Sequence, residues 1–225
     1  MNYTTALASK HKRARFAARR RVGGDTRAGV FAKGFSLIYN FHMSILKIYS
    51  DGACSGNQNE TNIGGWGTIL EFGETTKEIY GGEANTTNNK MELTAVIQAF
   101  HALKRDGLKV QVFTDSSYVA NCFREKWYEK WRMNGWMTSK KEPVDNRELW
   151  EELIALTEKH EVIFYRVKGH VNLDHPNTDT RGLFDKFKET NGPAFSYDDF
   201  VHITKRNNRA DALANLAMDE IRNKL

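Results

Sequence analysis

Three β-strand segments follow one another, before any ordered helical pattern, in the first half of this 225-residue chain. Residues 45–49, 65–72 and 76–83 carry strand-forming side chains, and short or turn-rich links join them. Strands connected in this way pair as antiparallel neighbours. This succession limits the fold more than any other feature of the sequence.

Helical and strand patterns then alternate. Apolar residues recur at helical spacing from Met91 to Leu103, which predicts a helix through about residue 104. The remaining elements predicted are strands over 109–114 and 162–167, and helical segments over 116–134, 146–159 and 209–222. A crossover helix allows the fourth strand to lie parallel beside the first. The pattern predicts an α/β fold with a mixed five-stranded sheet, three antiparallel strands followed by parallel additions, flanked by helices.

Carboxylates stand at the expected ends of two neighbouring strands. Asp51 follows the first strand and Asp115 follows the fourth, so both should emerge at one edge of the sheet. Glu92, in the first turn of the intervening helix, can reach the same edge, and Asp211 opens the last helix. Single residues of this kind are more often turn, cap or dipole residues. Their predicted convergence is what indicates a site.

Converging carboxylates repel one another and need bound cations. Oxygen ligands without Cys or His suit Mg²⁺, and Mn²⁺ also fits. Two such ions roughly 3.5–4 Å apart promote phosphodiester hydrolysis. The acids therefore predict a two-metal phosphodiesterase site.

Five motifs resemble those of the type 1 ribonucleases H of bacteria. They are 49–57 (Tyr-Ser-Asp-Gly-Ala-Cys-Ser-Gly-Asn), 86–93 (Thr-Thr-Asn-Asn-Lys-Met-Glu-Leu), 114–119 (Thr-Asp-Ser-Ser-Tyr-Val), 167–170 (Val-Lys-Gly-His) and 207–214 (Asn-Asn-Arg-Ala-Asp-Ala-Leu-Ala). They occur in the family's order. The resemblance implies a ribonuclease H-like fold and cleavage of the RNA strand of an RNA–DNA hybrid, leaving 5′-phosphate and 3′-hydroxyl ends.

The resemblance also implies residue roles. Asp51, Glu92, Asp115 and Asp211 would be the metal ligands, and His170 would assist proton transfer or product release. Three alternatives stay open: another nuclease or integrase of the same broad fold, a hybrid-binding module without catalysis, and a structural scaffold. The presence of all four acids favours the enzyme.

Substrate contacts are carried over by motif as well. Cys54, Asn57, Asn88 and Asn89 would contact sugar 2′-hydroxyls and bases, and the 2′-hydroxyl is what distinguishes RNA from DNA. A second group, Thr87 and Asn146, would hold a DNA phosphate. The asparagine run also suits loop and N-cap chemistry.

Residues 123–141, here called the basic tryptophan segment, interleave aromatic and cationic side chains. Phe123, Trp127 and Trp131 share one helix face. The segment resembles the family's basic protrusion, which binds the DNA strand, and the residues expected to bind nucleic acid are Trp127, Trp131, Trp136, Lys140 and Lys141. The alternative is that the tryptophans pack the helix onto the domain.

Two regions depart from a compact catalytic domain of residues 43–225. Residues 1–42 hold nine Lys and Arg against one Asp, whereas the remainder carries 24 basic and 27 acidic residues, net −3. This extension is predicted to be flexible, and three interpretations stay open: a nucleic-acid-binding arm, a transit peptide or a functionless extension. Residues 174–206 form an insertion between His170 and Asp211, which predicts a packed helical excursion that could cover the site. It leaves His175 and His202 as substitutes for His170.

The composition of the chain bears on its expected cellular location and oligomeric state. Two cysteines provide no disulfide framework, and no apolar run is long enough for a membrane span. The expectations are a cytoplasmic monomer without a membrane partner, with organelle import through residues 1–42 left open.

Overall fold

The computed structural model describes residues 45–55 and 62–224. These residues belong to one compact unit of the chain, Phe41–Leu225. Two predictions fall outside the described residues: the character of the 1–42 extension and the contacts of Asn57.

A five-stranded sheet forms the centre of the unit. Its strands are β1 (Leu46–Ser55), β2 (Ile63–Phe72), β3 (Thr75–Ala84), β4 (Lys109–Thr114) and β5 (Glu161–Arg166). Their order is β3-β2-β1-β4-β5, with β1, β2 and β3 antiparallel and with β4 parallel to both β1 and β5. The predicted mixed sheet is confirmed.

Six helices flank the sheet in the described residues. They are α1 (Asn88–His101), α2 (Ser117–Arg124), α3 (Trp127–Met133), α4 (Arg147–Thr157), α5 (Thr180–Asn191) and α6 (Tyr197–Arg222). None of the helices within these ranges is both long and apolar enough to cross a bilayer.

The sheet separates two hydrophobic clusters. Because successive side chains of a strand point to opposite faces, Ile48 joins one cluster and Tyr49 joins the other. The first cluster contains side chains of α1, α2 and α4, including the fully buried Trp150. The second contains side chains of α5 and α6, including Leu213. Both faces of the sheet are therefore covered by helices.

β1 is longer than its apolar pattern predicts, so Asp51 lies inside the strand and not after it. The strand continues through Ser55 because its antiparallel pairing with β2 continues, with Asp51 opposite Gly67. The parallel pairing with β4 ends one residue before Asp51, at Ser50 and Thr114. The sequence pattern located the end of the parallel pairing and missed the antiparallel continuation.

α6 begins twelve residues before the predicted start at 209. Ser196 caps it in a capping box with Asp199, which satisfies backbone donors of the first turn. Asp211 therefore lies in the middle of a 26-residue helix and does not open it. Phe200, Ile203 and Ala210 recur at helical spacing on the buried face of α6. The polar residues 205–209 between them interrupt this pattern in the sequence, so the early start of the helix was not predicted.

The insertion 174–206 consists of α5, the first part of α6 and the loops that precede them. Phe187 and Phe200 are buried in the second cluster. The side chain of Asn191 donates to the carbonyl of Arg166 and accepts from its backbone N–H, at 2.8 and 3.0 Å. The predicted helical excursion is present. It packs against one face of the sheet and the edge strand β5, and it does not line the carboxylate cleft described below.

Replacing Phe200 with alanine tests whether the insertion is part of the core. Phe200 is 4% exposed, so we expect the free energy of unfolding to fall by about 3–5 kcal/mol through lost burial and a residual cavity. Urea denaturation followed by circular dichroism measures the change. Met133→Ala, at a residue 81% exposed, should change it by less than about 0.5 kcal/mol. Equal effects of the two variants would contradict an integral insertion.

Candidate active site

One open cleft brings the four predicted acids together. Asp51, Glu92, Asp115 and Asp211 all line it, and His170 stands at the same cleft. The residues come from β1, α1, the end of β4, α6 and the loop after β5. Five separate parts of the chain thus contribute chemistry to one place.

Strand pairing aligns the first two acids. Asp51 and Asp115 each come directly after a parallel pair, Ser50 opposite Thr114. Parallel neighbours present their carboxyl ends at the same edge of a sheet, so the two carboxylates emerge side by side. The prediction that this edge collects both acids is confirmed by the cleft that they share.

Glycines bring the other two acids close. A Cβ on Gly52 would collide with the backbone of α1 at Met91 and Glu92. A Cβ on Gly67, the partner of Asp51 in β2, would collide with the carbonyl oxygen of Ala210 in α6. Because these side chains are absent, both helices approach the strands at backbone distance. Glu92 is the fifth residue of α1, not a first-turn residue as predicted, and still reaches the cleft.

Burial and mutual repulsion perturb the acids. Burial, reinforced by the charges of Asp115, Glu92 and Asp211, raises the pKa of Asp51 to about 9. Burial raises the pKa of Glu92 to about 7, with Asp115 adding to the effect and with Ser116 and Asn88 opposing it. Burial also raises the pKa of Asp115. Holding these groups ionised together costs free energy, which a cation would recover.

The donors fit a hard divalent cation. Gly52 N–H donates to Asp51 Oδ1 at 2.8 Å and Asn88 Nδ2 to Glu92 Oε1 at 2.9 Å. Glu92 Oε2 is buried without a hydrogen-bond partner, which leaves an oxygen for a ligand. Among the residues described, however, no three acidic, His or Cys side chains already stand in a geometry that holds one ion.

His170 lies at the cleft as predicted. Its Nδ1 is 3.5 Å from Asp211 Oδ2, and its side chain is 77% exposed. The residue has a left-handed backbone, φ 52°. Asn208 Nδ2 donates to the carbonyl of Val171 at 2.7 Å, which ties the loop after His170 to α6.

The substitutes for His170 lie elsewhere. His202 Nε2 is 2.9 Å from Glu71 Oε2, on β2 four residues beyond Gly67, and neither His202 nor His175 lines the cleft. The Lys-Gly-His context therefore located the histidine that accompanies the acids.

Three predicted substrate-binding residues share the cleft: Cys54, Asn88 and Asn89. Cys54 Sγ lies 3.6 Å from the carbonyl of Thr86. Thr87 N-caps α1 by accepting from Lys90 N–H at 3.3 Å, so the cap of this helix is the threonine and neither Asn88 nor Asn89. Asn146 precedes α4 with φ 56° and does not line the cleft.

The tryptophans of the basic tryptophan segment form an aromatic cluster with tilted and edge-on ring contacts. Ring centroids of Trp131 lie 6.4 Å from Trp127, 6.0 Å from Trp136 and 5.5 Å from Trp150. Trp136 is buried, and the other two pack against the first cluster. This geometry supports the packing alternative, and nucleic-acid contacts by the tryptophans stay a prediction.

Lys140 and Lys141 are exposed on a turn, where Lys141 has φ 63°. The helical pattern predicted over 116–134 is divided into α2 and α3 at Lys126, which has a left-handed backbone. The two lysines lie beyond α3 and are exposed on a segment that the tryptophan cluster anchors.

Sequence reasoning missed Gly67 and Asn208. Gly65 and Gly67 alternate along β2, so both fall on one face of the strand, which was a readable signal of a close backbone contact. Asn208 lay inside a recognised motif, but its link to the His170 loop crosses 37 residues of chain and left no local signal.

A family model described as RNase H matches residues 43–181. Similar proteins include two called Ribonuclease H. That of Thermoanaerobacter sp. (strain X514) is 48% identical over 136 residues, 60% of this chain and 85% of the relative. That of Caldanaerobacter subterraneus subsp. tengcongensis is 45% identical over 145 residues, 64% of this chain and 92% of the relative.

Solved structures agree on the fold. LC9-RNase H1, described as a type 1 RNase H with the type 2 active-site motif, aligns with a TM-score of 0.58 and 26% identity over 79% of this chain and 73% of that one. A foamy viral protease-reverse transcriptase in complex with an RNA/DNA hybrid aligns with a TM-score of 0.52 and 19% identity, over 80% of this chain and 20% of that one. The latter likeness concerns fold alone.

The family match ends at residue 181, inside the insertion. Asp211 lies beyond the matched residues. It is assigned to the site by the 207–214 motif and by its position in the cleft. The insertion therefore interrupts the matched sequence without displacing the last acid from the site.

Replacing Asp51 with asparagine should stabilise the protein when divalent cations are absent. Because burial raises the pKa of Asp51 to about 9, folding at neutral pH must either bind a proton or bury a charge at this position. Asparagine needs neither, so we expect the free energy of unfolding in EDTA to rise on the order of 1–2 kcal/mol. Denaturant titration with and without Mg²⁺ measures this, and the gain should shrink when Mg²⁺ is present. Asp106→Asn, at an exposed loop residue, is the matched control. A loss of stability in EDTA would contradict a cost of placing an acid at position 51.

Proposed function

Because the chain belongs to the ribonuclease H family, among its type 1 enzymes, we propose that it is an endonuclease that hydrolyses the RNA strand of RNA–DNA hybrids with two divalent metal ions. The observation that carries the proposal is the single cleft lined by Asp51, Glu92, Asp115 and Asp211 beside His170. The products would carry 5′-phosphate and 3′-hydroxyl ends.

The four acids would hold the cations, and Mg²⁺ suits their oxygen donors best, with Mn²⁺ as an alternative. When bound, the cations supply the positive charge that activates water and stabilises the departing oxygen at phosphorus. Asp51 is central, because its pKa responds to all three other acids. The free oxygen of Glu92 and the partly exposed carboxylate of Asp211 complete the donor set.

His170 would move a proton and not hold a cation. Its imidazole is largely exposed and lies 3.5 Å from Asp211 through Nδ1. Such a side chain can exchange protons with solvent and with a departing oxygen. The tie between Asn208 and Val171 would keep the histidine close to the acids as the loop moves.

Hybrid recognition would begin in the same cleft. Cys54, Asn88 and Asn89 line it next to the acids, and their short polar side chains suit contacts to 2′-hydroxyls and base edges. Asn57, close in sequence to Cys54, would join them. Thr87 and Asn146 would hold a phosphate of the DNA strand.

The basic tryptophan segment would bind the DNA backbone. The unit after residue 42 is net −3, so a local cluster must attract the polyanion. Lys140 and Lys141 are exposed and supply such a cluster. The tryptophan cluster would hold the segment in place, and the lysines would contact the DNA phosphates.

Cleavage of a labelled hybrid tests the proposal directly. With Mg²⁺ we expect the RNA strand of an RNA–DNA hybrid to be cut, because one strand offers 2′-hydroxyls to the cleft and the other offers a DNA phosphate to Thr87 and Asn146. Duplex RNA, duplex DNA and single-stranded RNA should remain intact, and EDTA should stop the reaction. Gel analysis of the end groups also checks the expected product chemistry.

Asp51→Asn provides the catalytic control. It should lower cleavage by at least about 100-fold, or roughly 2.7 kcal/mol of the barrier, while hybrid binding persists. Asp106→Asn should cleave normally. Near-normal turnover by Asp51→Asn would contradict the ligand assignment, and hybrid binding without cutting by the wild-type chain would favour a non-catalytic module.

Neutralising Lys140 and Lys141 with glutamine should weaken hybrid binding without slowing chemistry. Each lost phosphate contact removes about 0.9 from the slope of log affinity against log salt. We therefore expect KM to rise and the salt dependence to flatten by roughly one to two units, with kcat unchanged. The matched control is Lys77→Gln with Lys104→Gln, which removes two exposed charges elsewhere. An unchanged salt slope would reject the phosphate contacts.

A further inference from the structure

A cavity of about 190 Å³ lies between the end of β5, α5 and α6. Val171, Phe187 and Phe200 contribute to its apolar wall, and Arg166, Lys168 and Lys186 contribute cations. The insertion builds most of it, because α5 and the start of α6 supply one side. The cavity is therefore tied to the segment that distinguishes this chain.

The cations of this cavity are not neutralised by the protein. Within the described residues no ion pair involves Arg166, Lys168 or Lys186, and no acid lines the cavity. Lys188, one residue away from the wall on α5, differs, because it pairs with Asp185 at 3.0 Å. Three free positive charges around an apolar wall suit a ligand that has both an anionic group and a ring.

The size of the cavity narrows the class of ligand. Sites for whole small molecules are typically ~300–1,000 Å³, so this cavity holds only part of one. A nucleotide matches it, since a base has an apolar face for the wall and its phosphate can meet the cations. A single nucleotide would bind weakly alone but well when tethered to a strand already held nearby.

The carboxylate cleft is the nearby place that would hold such a strand. An adjoining groove is lined by His170 and Asp211 at one end and shares Val171 with the cavity. Lys205, from the end of the insertion, also lines this groove, and Asp174 is its other charged residue from the insertion. A strand leaving the acids past His170 would follow this groove to the cavity.

We propose that the cavity binds one unpaired nucleotide of a single-stranded RNA extension that leaves the hybrid past His170. The inference rests on the proposed function, because that function places the RNA strand at the acids. It makes hybrids with an RNA tail better ligands than blunt hybrids. The insertion then provides an additional binding subsite for hybrids that continue into a single-stranded RNA extension.

Binding of hybrids with and without tails tests the inference. In the Asp51→Asn background with Mg²⁺, fluorescence anisotropy compares a blunt hybrid with hybrids that carry a 5′ or a 3′ single-stranded RNA extension. One polarity should bind at least about fivefold tighter, the lower end of what a stacked base contributes. Arg166→Gln with Lys186→Gln should abolish that gain and leave the blunt hybrid unaffected.

The controls separate the sources of any gain. Lys77→Gln with Lys104→Gln removes the same charge away from the cavity and should keep the gain. No gain from either RNA tail, an equal gain from a tail on the DNA strand, or a gain that survives the Arg166 and Lys186 changes would each overturn the inference. If the wild-type chain does not cut the blunt hybrid, the proposed function fails first. Normal cutting without a tail effect refutes the subsite alone.

Discussion

The backbones of α1 and α6 lie directly against glycines of β1 and β2, and this contact sets the positions of Glu92 and Asp211. At Gly52 and Gly67 any side chain would push the helices outward. The acids would then separate from Asp51, which directly precedes Gly52 in β1 and pairs with Gly67 in β2. Packing density thus controls the chemistry, because a shift of the size of one methyl group would change how far the carboxylates stand apart.

The same contact concentrates negative charge in a partly buried cleft. The raised pKa values of Asp51, Glu92 and Asp115 all have burial as their main cause, with neighbouring carboxylates adding to that of Asp51. Such a cleft is a local loss of stability that the two hydrophobic clusters must offset. The insertion contributes to that balance, since Phe187 and Phe200 extend the second cluster.

Local patterns predicted the sheet, the bounds of β4 and the place of His170, because these depend on strand periodicity and short motifs. The extent of β1 and the start of α6 were predicted wrongly. Both depend on contacts distant in sequence: the β2 register for β1, and the burial of Phe200 for α6. The tryptophans illustrate another limit, since an aromatic and basic pattern is the same whether the rings face a ligand or, as at Trp136, the core.

The side chain of Asn191 also changes how the edge of the sheet meets solvent. Its side-chain amide pairs with the N–H and the carbonyl of Arg166, much as a neighbouring strand would, at the open edge of the sheet. Edge strands with free backbone groups invite pairing with other chains. β5 also exposes Ile163 to solvent, so an uncovered β5 edge would favour association with other chains. By occupying part of that edge, the insertion leaves fewer backbone groups open to intermolecular sheet extension.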